Sequence, residues 1–216
     1  MHGSRKLQGA DLDKFSFFFG FYGLILGLAV TEILGGFAGM VRAKAIRCIE
    51  PQTALLALLT FIVICATWID AWDTLQSITL DFAGLWAPIM LATLYYLAAS
   101  VIFPSNPADF ETLSFYYADR KRFVIAMLLS AELLVNFTFI EVFAEVWTHQ
   151  PLHFWFWMVP HAVAISGSYI ALLFVKSRRA NIVLLVLLVV LFSVPYWNQE
   201  ALGAFIDRQL GYFPAR

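Results

Sequence analysis

Residues 123–147 read FVIAMLLSAELLVNFTFIEVFAEVW, and this stretch decides the fold class. A bilayer core about 30 Å thick is crossed by about 20 mostly apolar residues in a helix. The form is helical because every backbone amide in lipid must find its hydrogen-bond partner within the same segment. The run meets that requirement, although acidic side chains interrupt it. We therefore predict a membrane-spanning helix over these residues.

Five further apolar runs meet the same requirement, and mostly short connections join them. They are residues 15–41, 51–74, 82–103, 152–175 and 182–197. The predicted fold is an all-α integral membrane protein, a bundle of six transmembrane helices. Since three helices precede the longest connection and three follow it, the bundle is also compatible with two inverted three-helix halves, a common design of carriers.

The composition agrees with this fold class. Hydrophobic residues make up 61% of the chain and charged residues only 13%, whereas an ordinary soluble domain is about a quarter charged. The formal net charge is −1, so no basic excess points to nucleic acid. We expect the lipid bilayer, and no nucleic acid, as a partner.

Three segments remain outside the predicted spans. Residues 1–14 and 198–216 are predicted to be an N-terminal and a C-terminal tail. In residues 107–118, apolar side chains recur at helical spacing on one side after a proline start, which is typical of a short helix lying in the headgroup layer.

The distribution of basic residues predicts the orientation. The second and fourth connections contain no Lys or Arg, whereas the first, third and fifth contain Arg42, Lys44, Arg47, Arg120, Lys121, Arg122, Lys176, Arg178 and Arg179. By the positive-inside rule these odd connections are cytoplasmic. We therefore expect a multipass protein of a bacterial-type inner (plasma) membrane, with both termini outside.

The first span contains a row of small residues, one at every fourth position. Its members are Gly23, Gly27, Thr31, Gly35 and Gly39. Such rows let the backbone of another helix approach closely. We expect the row to pack against a helix of the same chain, and keep as the alternative a contact between copies in a homo-oligomer or with a partner in a membrane complex.

Ionisable residues inside the spans are the candidate functional groups, because a charge at the bilayer centre costs about 2.5–3.5 kcal/mol on insertion scales. Glu132 and Asn136 share one face of the fourth span, while Glu141 lies on the opposite side. A helix that is polar on two sides belongs at the centre of the bundle. We expect Glu132 to face Glu32 of the first span, so that the two carboxyl groups share a proton.

His161 lies inside the fifth span at a depth that suits a partnership with Glu141. With it, the predicted polar or ion pathway consists of Glu32, Glu132, Asn136, Glu141 and His161. The same residues could instead serve as structural hydrogen bonds between helices.

Carboxylate and imidazole groups recur every four residues near the outer end of the fourth span. Glu145, His149 and His153 resemble metal ligands along one helix face, although Pro151 interrupts the helix. No cofactor is expected, and a metal on the outer side is kept as the alternative. No phosphate-binding loop, zinc-protease motif or serine-hydrolase elbow occurs, so no catalytic residue is predicted.

These observations favour a proton- or ion-linked transporter or channel that uses intramembrane carboxylates. An accessory or scaffold subunit of a larger membrane complex is the alternative, because paired polar residues and small-residue rows also join subunits. A metal-dependent membrane enzyme is the third interpretation.

Overall fold

The computed structural model describes residues 2–44, 49–74, 82–104, 113–138, 140–149 and 154–197, and all regular structure in these ranges is helical. The helices are α1 (His2–Arg42), α2 (Pro51–Thr74), α3 (Phe82–Ser100), α4 (Leu113–Thr138), α5 (Ile140–His149), α6 (Val159–Phe174) and α7 (Arg178–Trp197). A π-helical turn, Phe154–Met158, precedes α6. The predicted all-α fold class is confirmed.

Local sequence signals account for several helix ends. Pro51 is the first residue of α2, a position where the missing N–H of proline costs nothing. α1 ends at Arg42, and Lys44 follows with a φ of 56°, a left-handed conformation that stops a helix. α7 begins directly after Ser177, whose carbonyl oxygen accepts a hydrogen bond from the Asn181 N–H at 3.0 Å.

Several predicted boundaries differ from the structure, and two of the differences change how a segment is interpreted. α1 begins at His2, so the predicted tail 1–14 is helical from that residue onward and continuous with the first span. α4 begins at Leu113 and passes through the basic residues 120–122, so the interfacial helix predicted to end at residue 118 is not separate from the fourth span. Neither stretch contains a proline, and Arg and Lys are good helix formers. Residues 107–112 and 198–216 lie outside the described residues.

The long helices contact one another in an order that closes on itself. α3 packs against α1 and α4, α4 against α6, α6 against α7, α7 against α2, and α2 against α1. α3 is able to hold two neighbours because its buried side is built from small residues, with Ala92 and Ala98 fully buried. One consequence is that α3 lies between α1 and α4.

One hydrophobic core joins all six long helices. Its most deeply buried large side chains are Tyr22, Leu26, Met40, Leu59, Ile64, Val124, Ile125, Leu128, Tyr169, Leu172, Leu185 and Leu188. At one end of α1 and α2, aromatic rings continue the packing, with Phe19 5.1 Å from Trp72 and 5.5 Å from Trp68 between ring centroids.

Two of the described helices are long and apolar enough to cross a membrane. They are Phe15–Arg42 and Pro51–Trp72, with mean hydropathies of 2.0 and 2.2 over their most apolar windows. Leu85–Ser100 and Val159–Phe174 are also apolar but shorter. Many large apolar side chains lie on the outside of the molecule, and Phe137 and Phe174 are 74% and 73% exposed.

Candidate functional site

A group of polar side chains lies inside the bundle where several helices meet. It consists of Thr67 of α2, Tyr95 of α3, Glu132 and Asn136 of α4, and Tyr169 of α6, and we refer to these five residues as the central polar cluster. Thr67 Oγ1 donates a hydrogen bond to Tyr95 Oη at 3.0 Å. Asn136 Nδ2 donates one to Glu132 Oε1 at 3.1 Å. One hydrogen-bonded pair joins α2 to α3 and the other lies within α4, and the two pairs together form the framework of the cluster.

Electrostatic interactions connect the two pairs. Tyr95 interacts with Glu132 across the α3–α4 contact, and Tyr169 interacts with both of them. Tyr95 also interacts with Asp70, which lies one helical turn beyond Thr67 on α2 and is exposed. The cluster thus extends from the interior towards the surface at the C-terminal end of α2.

The two tyrosine hydroxyl groups of the cluster are deeply buried. Tyr95 is 3% exposed and Tyr169 is fully buried, while Glu132 and Asn136 are half-buried. Within the described part of the chain, Tyr169 Oη has no hydrogen-bond partner. A buried polar group left unpaired costs about 1–3 kcal/mol, so this hydroxyl is an available donor beside the Glu132 carboxyl group.

The local sequence explains part of this arrangement. Glu132 and Asn136 are four residues apart, which brings their side chains together on one face of a helix. That shared face was predicted, and the structure joins the two side chains directly. Tyr95 and Tyr169, and Tyr22 of α1, which interacts with Tyr95, were not among the predicted site residues. Their positions well inside the runs were the available signal, since a buried Tyr hydroxyl usually finds a partner.

Glu32 is not part of the central polar cluster. It is exposed on α1 and lines an open cavity of about 680 Å³ together with Arg42, Ser100 and Phe103. Glu132 is instead held by its own helix and interacts with the tyrosines of α3 and α6. The expected pairing of Glu32 with Glu132 was therefore wrong, because α3 packs between the two helices that carry them.

The row of small residues on α1 packs within the chain at only one of its glycines. A Cβ atom added to Gly23 would lie 3.2 Å from Trp68 Nε1, but one added to Gly27, Gly35 or Gly39 would meet nothing within 4 Å. Thr31 is exposed and donates to the Gly27 carbonyl oxygen at 2.7 Å. The expectation that the row packs within the chain was wrong for these three glycines.

The other predicted site residues are described only in part. His161 is half-buried in the first turn of α6, directly after Pro160. The side chains of Glu141 and Glu145 lie outside the described residues, as does His153, so the pairing of Glu141 with His161 stays a prediction. His149 is exposed at the end of α5. No three His, Cys, Asp or Glu side chains gather as a metal-ligand set among the residues that the structure describes, and the metal site also stays a prediction.

A buried lysine at the opposite end of the bundle was counted in the sequence only as a loop charge. Lys121 of α4 is 6% exposed. Its Nζ donates to the Val175 carbonyl oxygen at 2.6 Å and to Asn181 Oδ1 at 3.1 Å. Asn181 Nδ2 in turn donates to the Ser177 carbonyl oxygen at 2.8 Å. Lys121 therefore ties α4 to the connection between α6 and α7. Burial, followed by the nearby Arg122 charge, lowers the pKa of this lysine.

The central polar cluster combines one ionisable carboxyl group with three hydroxyl groups and one amide. Such a set can hold a proton and pass it between neighbouring oxygen atoms, and it lacks the paired nucleophile and base of covalent catalysis. Comparison of the chain with protein-family models, curated proteins and solved structures finds no match.

Proposed function

We propose that the chain is a multipass protein of a bacterial-type inner membrane, with all six apolar runs crossing the bilayer. The apolar outer surface supports this placement, because soluble monomers rarely expose large contiguous apolar patches. Phe17, Leu24 and Val183 add to that surface with exposures of 82%, 63% and 65%. α4 and α5 together make the fourth crossing in this arrangement.

The positive-inside rule sets the orientation in this proposal, with both termini outside. In a background in which Cys48 and Cys65 are replaced by Ser, a cysteine at Ser4 should react with a membrane-impermeant maleimide in intact cells. A cysteine at Arg178 should react only after the membrane is permeabilised. The reverse pattern would invert the orientation.

Within the bilayer, we propose proton-linked transport or proton conductance through Glu132. The observation that carries this proposal is the half-buried carboxyl group of Glu132 among the buried hydroxyls of Tyr95 and Tyr169. Ionisable residues within membrane spans are expensive and mark proton or ion pathways by default. Asp70 would form the outer end of the path, because it interacts with Tyr95 and lies near the predicted outer face.

Proton flux in liposomes tests this function. The purified protein is reconstituted around a pH-sensitive dye, and a potassium diffusion potential drives protons inward. We expect Glu132→Gln to abolish the flux, because the amide cannot release a proton.

Thr138→Val is the matched control for the flux measurement. Thr138 lies on the same helix, is exposed, and donates to the Leu134 carbonyl oxygen within its own turn at 2.8 Å. A well-folded Glu132→Gln protein that conducts like the wild type would exclude Glu132 as the proton carrier.

A second candidate function is that of a subunit in a membrane complex, and the open face of α1 favours it. Glu32, Thr31 and Gly35 are all exposed on this helix. In lipid, an exposed carboxylate is costly, whereas a second helix packed on the glycines would cover it. Only 22% of the apolar window of α1 is buried in the isolated chain.

Cross-linking and purification distinguish the possible partners of α1, which are a second copy of the chain or a different subunit. With Cys48 and Cys65 replaced by Ser, a single cysteine at Thr31 should form a disulfide with a second copy in a homo-oligomer. With a different subunit, mild-detergent purification should retain another chain, and Gly27→Leu should release it. A monomer without a partner would leave α1 facing lipid and remove this candidate.

A further inference from the structure

A second open cavity, of about 630 Å³, lies at the end of the bundle that we assign to the cytoplasmic face. The ends of α2, α4, α6 and α7 surround it. Its charged and polar lining residues are Glu50, Gln52, Tyr117, Asp119, Lys121, Arg122, Lys176, Arg178 and Asn181. We refer to it as the basic cavity.

The basic cavity has an excess of positive charge. Four of its lining side chains are cationic and two are carboxylates. One of the carboxylates, Asp119, pairs at 3.2 Å with Arg120, which does not line the cavity. Among the described lining residues, Glu50 is the only other acid. α7 begins at Arg178, and the positive end of its helix dipole adds to the same field. An anion would be attracted to this cavity.

Two buried side chains form part of the cavity wall. Tyr117 lines the basic cavity and is 7% exposed, and its Oη has almost no accessible surface. Arg122, Lys176 and Arg178 are exposed, so they are the donors that a ligand in the cavity can reach. Lys121 has two oxygen partners already, so its role is to hold the α6–α7 connection that forms one wall.

We propose that the basic cavity binds the phosphate of an anionic membrane lipid. Guanidinium groups bind phosphate oxygens through paired, charge-assisted hydrogen bonds, so Arg122 and Arg178 are the principal ligands. Phe174 also lines the cavity and is 73% exposed, which offers an apolar contact to the acyl chains.

The proposal relies on the membrane placement given above and is independent of proton transport through Glu132. Basic pockets between helices at the cytoplasmic side are suited to anionic lipid headgroups. A free phosphate ion would use the same hydrogen bonds but would gain nothing from Phe174. The two sources of phosphate can therefore be distinguished by experiment.

The full-length chain in mild detergent is titrated with phosphatidylglycerol, with phosphatidylcholine or with inorganic phosphate, and bound lipid is counted by native mass spectrometry. We expect one phosphatidylglycerol to bind in preference to phosphatidylcholine, with no displacement by inorganic phosphate. Displacement by inorganic phosphate would identify a soluble anion as the ligand and overturn the lipid proposal. Equal binding of the two lipids would also overturn it.

A matched pair of charge variants tests the position of the site. Arg178→Gln should weaken phosphatidylglycerol binding about fivefold, since a basic residue near the membrane surface contributes about 1 kcal/mol. Arg179→Gln removes the same charge from the next residue, which is exposed but does not line the cavity, and should change binding less than twofold. An equal loss of phosphatidylglycerol binding in both variants would show that general surface charge attracts the lipid and that no defined site binds it. This result would contradict the proposal.

Discussion

Lys121 shows how one side chain acquires a structural role that its residue type does not predict. Lysine is almost never fully buried unless it is paired. Here the ammonium group is buried because the Val175 carbonyl oxygen and Asn181 Oδ1 both accept from it, at 2.6 and 3.1 Å. These two oxygens belong to the end of the bundle where α6 turns into α7. Lys121 therefore adds a direct tie between α4 and that turn to the packing of α4 against α6.

Replacing Lys121 by Met should destabilise the protein. The aliphatic part of the side chain is retained, but Asn181 Oδ1 loses its donor and the Val175 carbonyl oxygen keeps only a 3.4 Å hydrogen bond from Asn181 Nδ2. A buried polar group left unpaired costs about 1–3 kcal/mol. Thermal unfolding in detergent measures the effect. Lys176→Met is the control, because Lys176 lies nearby and is exposed, and it should change the melting temperature little. Equal stability of the Lys121→Met protein and the wild type would show that the hydrogen bonds contribute nothing net.

The lowered pKa of Lys121 also predicts a pH dependence of stability. Burial and the charge of Arg122 favour the neutral amine in the folded state, so the folded pKa lies below the ordinary 10.5. Between these two values the unfolded chain binds more protons than the folded chain. The free energy of unfolding contributed by Lys121 should therefore rise with pH in this window. Denaturant titrations just below pH 10.5 should show this rise in the wild type and a smaller one in Lys121→Met.

At the scale of the element, glycines lie on two sides of α1, one packed inside the molecule and one open. Gly36 packs against Phe103, where an added Cβ would lie 2.5 Å from the ring. Gly27 lies on the open side, where an added Cβ would meet nothing within 4 Å. The two glycines are about half a turn apart around the helix axis, so one lies on an internal contact and the other on the opposite, outer face.

Alanine substitutions should separate these two surfaces. Gly36→Ala should lower the stability of the isolated chain by about 1–3 kcal/mol, because the Phe103 ring must shift. Gly27→Ala should be neutral or stabilising by up to about 1 kcal/mol, since alanine favours the helix more than glycine does. Melting curves of both variants in the same detergent make the comparison. A loss at Gly27 as large as that at Gly36 would mean that the open face is covered in the purified protein.

At the scale of the whole molecule, the closed order of neighbours joins the two halves of the chain along two seams. α3 contacts α4 along one seam, and α2 contacts α7 along the other. Because the first and second halves of the chain meet mainly along these seams, packing between residues far apart in the sequence holds the two halves together. The central polar cluster draws residues from both halves, so it exists only when both seams have formed.

The α2–α7 seam can be tested with a thiol cross-linker. Cys65 of α2 and Ser193 of α7 both line an apolar groove of about 270 Å³ between these helices. In a Cys48→Ser background, Ser193→Cys should be bridged to Cys65 by a short bifunctional maleimide, so that fragments cleaved within residues 105–112 remain linked. Val183→Cys, exposed near the other end of α7, should give no bridge. Equal cross-linking of the two variants would contradict the arrangement.

Local patterns in the sequence were sufficient to predict the helices and to place the two residues of one polar contact on the same helix face. Hydropathy predicted the all-α class, and α2 has the same bounds as the predicted run 51–74. The four-residue spacing of Glu132 and Asn136 placed them on one face, where they form a hydrogen bond. The basic residues at one end of the helices were also visible in the sequence. All of these depend on residues that are close together along the chain.

The tertiary structure decided which helices are neighbours and how each is rotated. It separated Glu32 from Glu132 by placing α3 between α1 and α4, and it left Gly27 open while packing Gly36. It also buried Lys121 and gathered the tyrosine hydroxyls around Glu132. The physical reason is that helix rotation and neighbour choice follow from the summed packing of side chains that are far apart in sequence. Hydropathy and spacing, which are local quantities, determine only where each helix begins and what its faces contain.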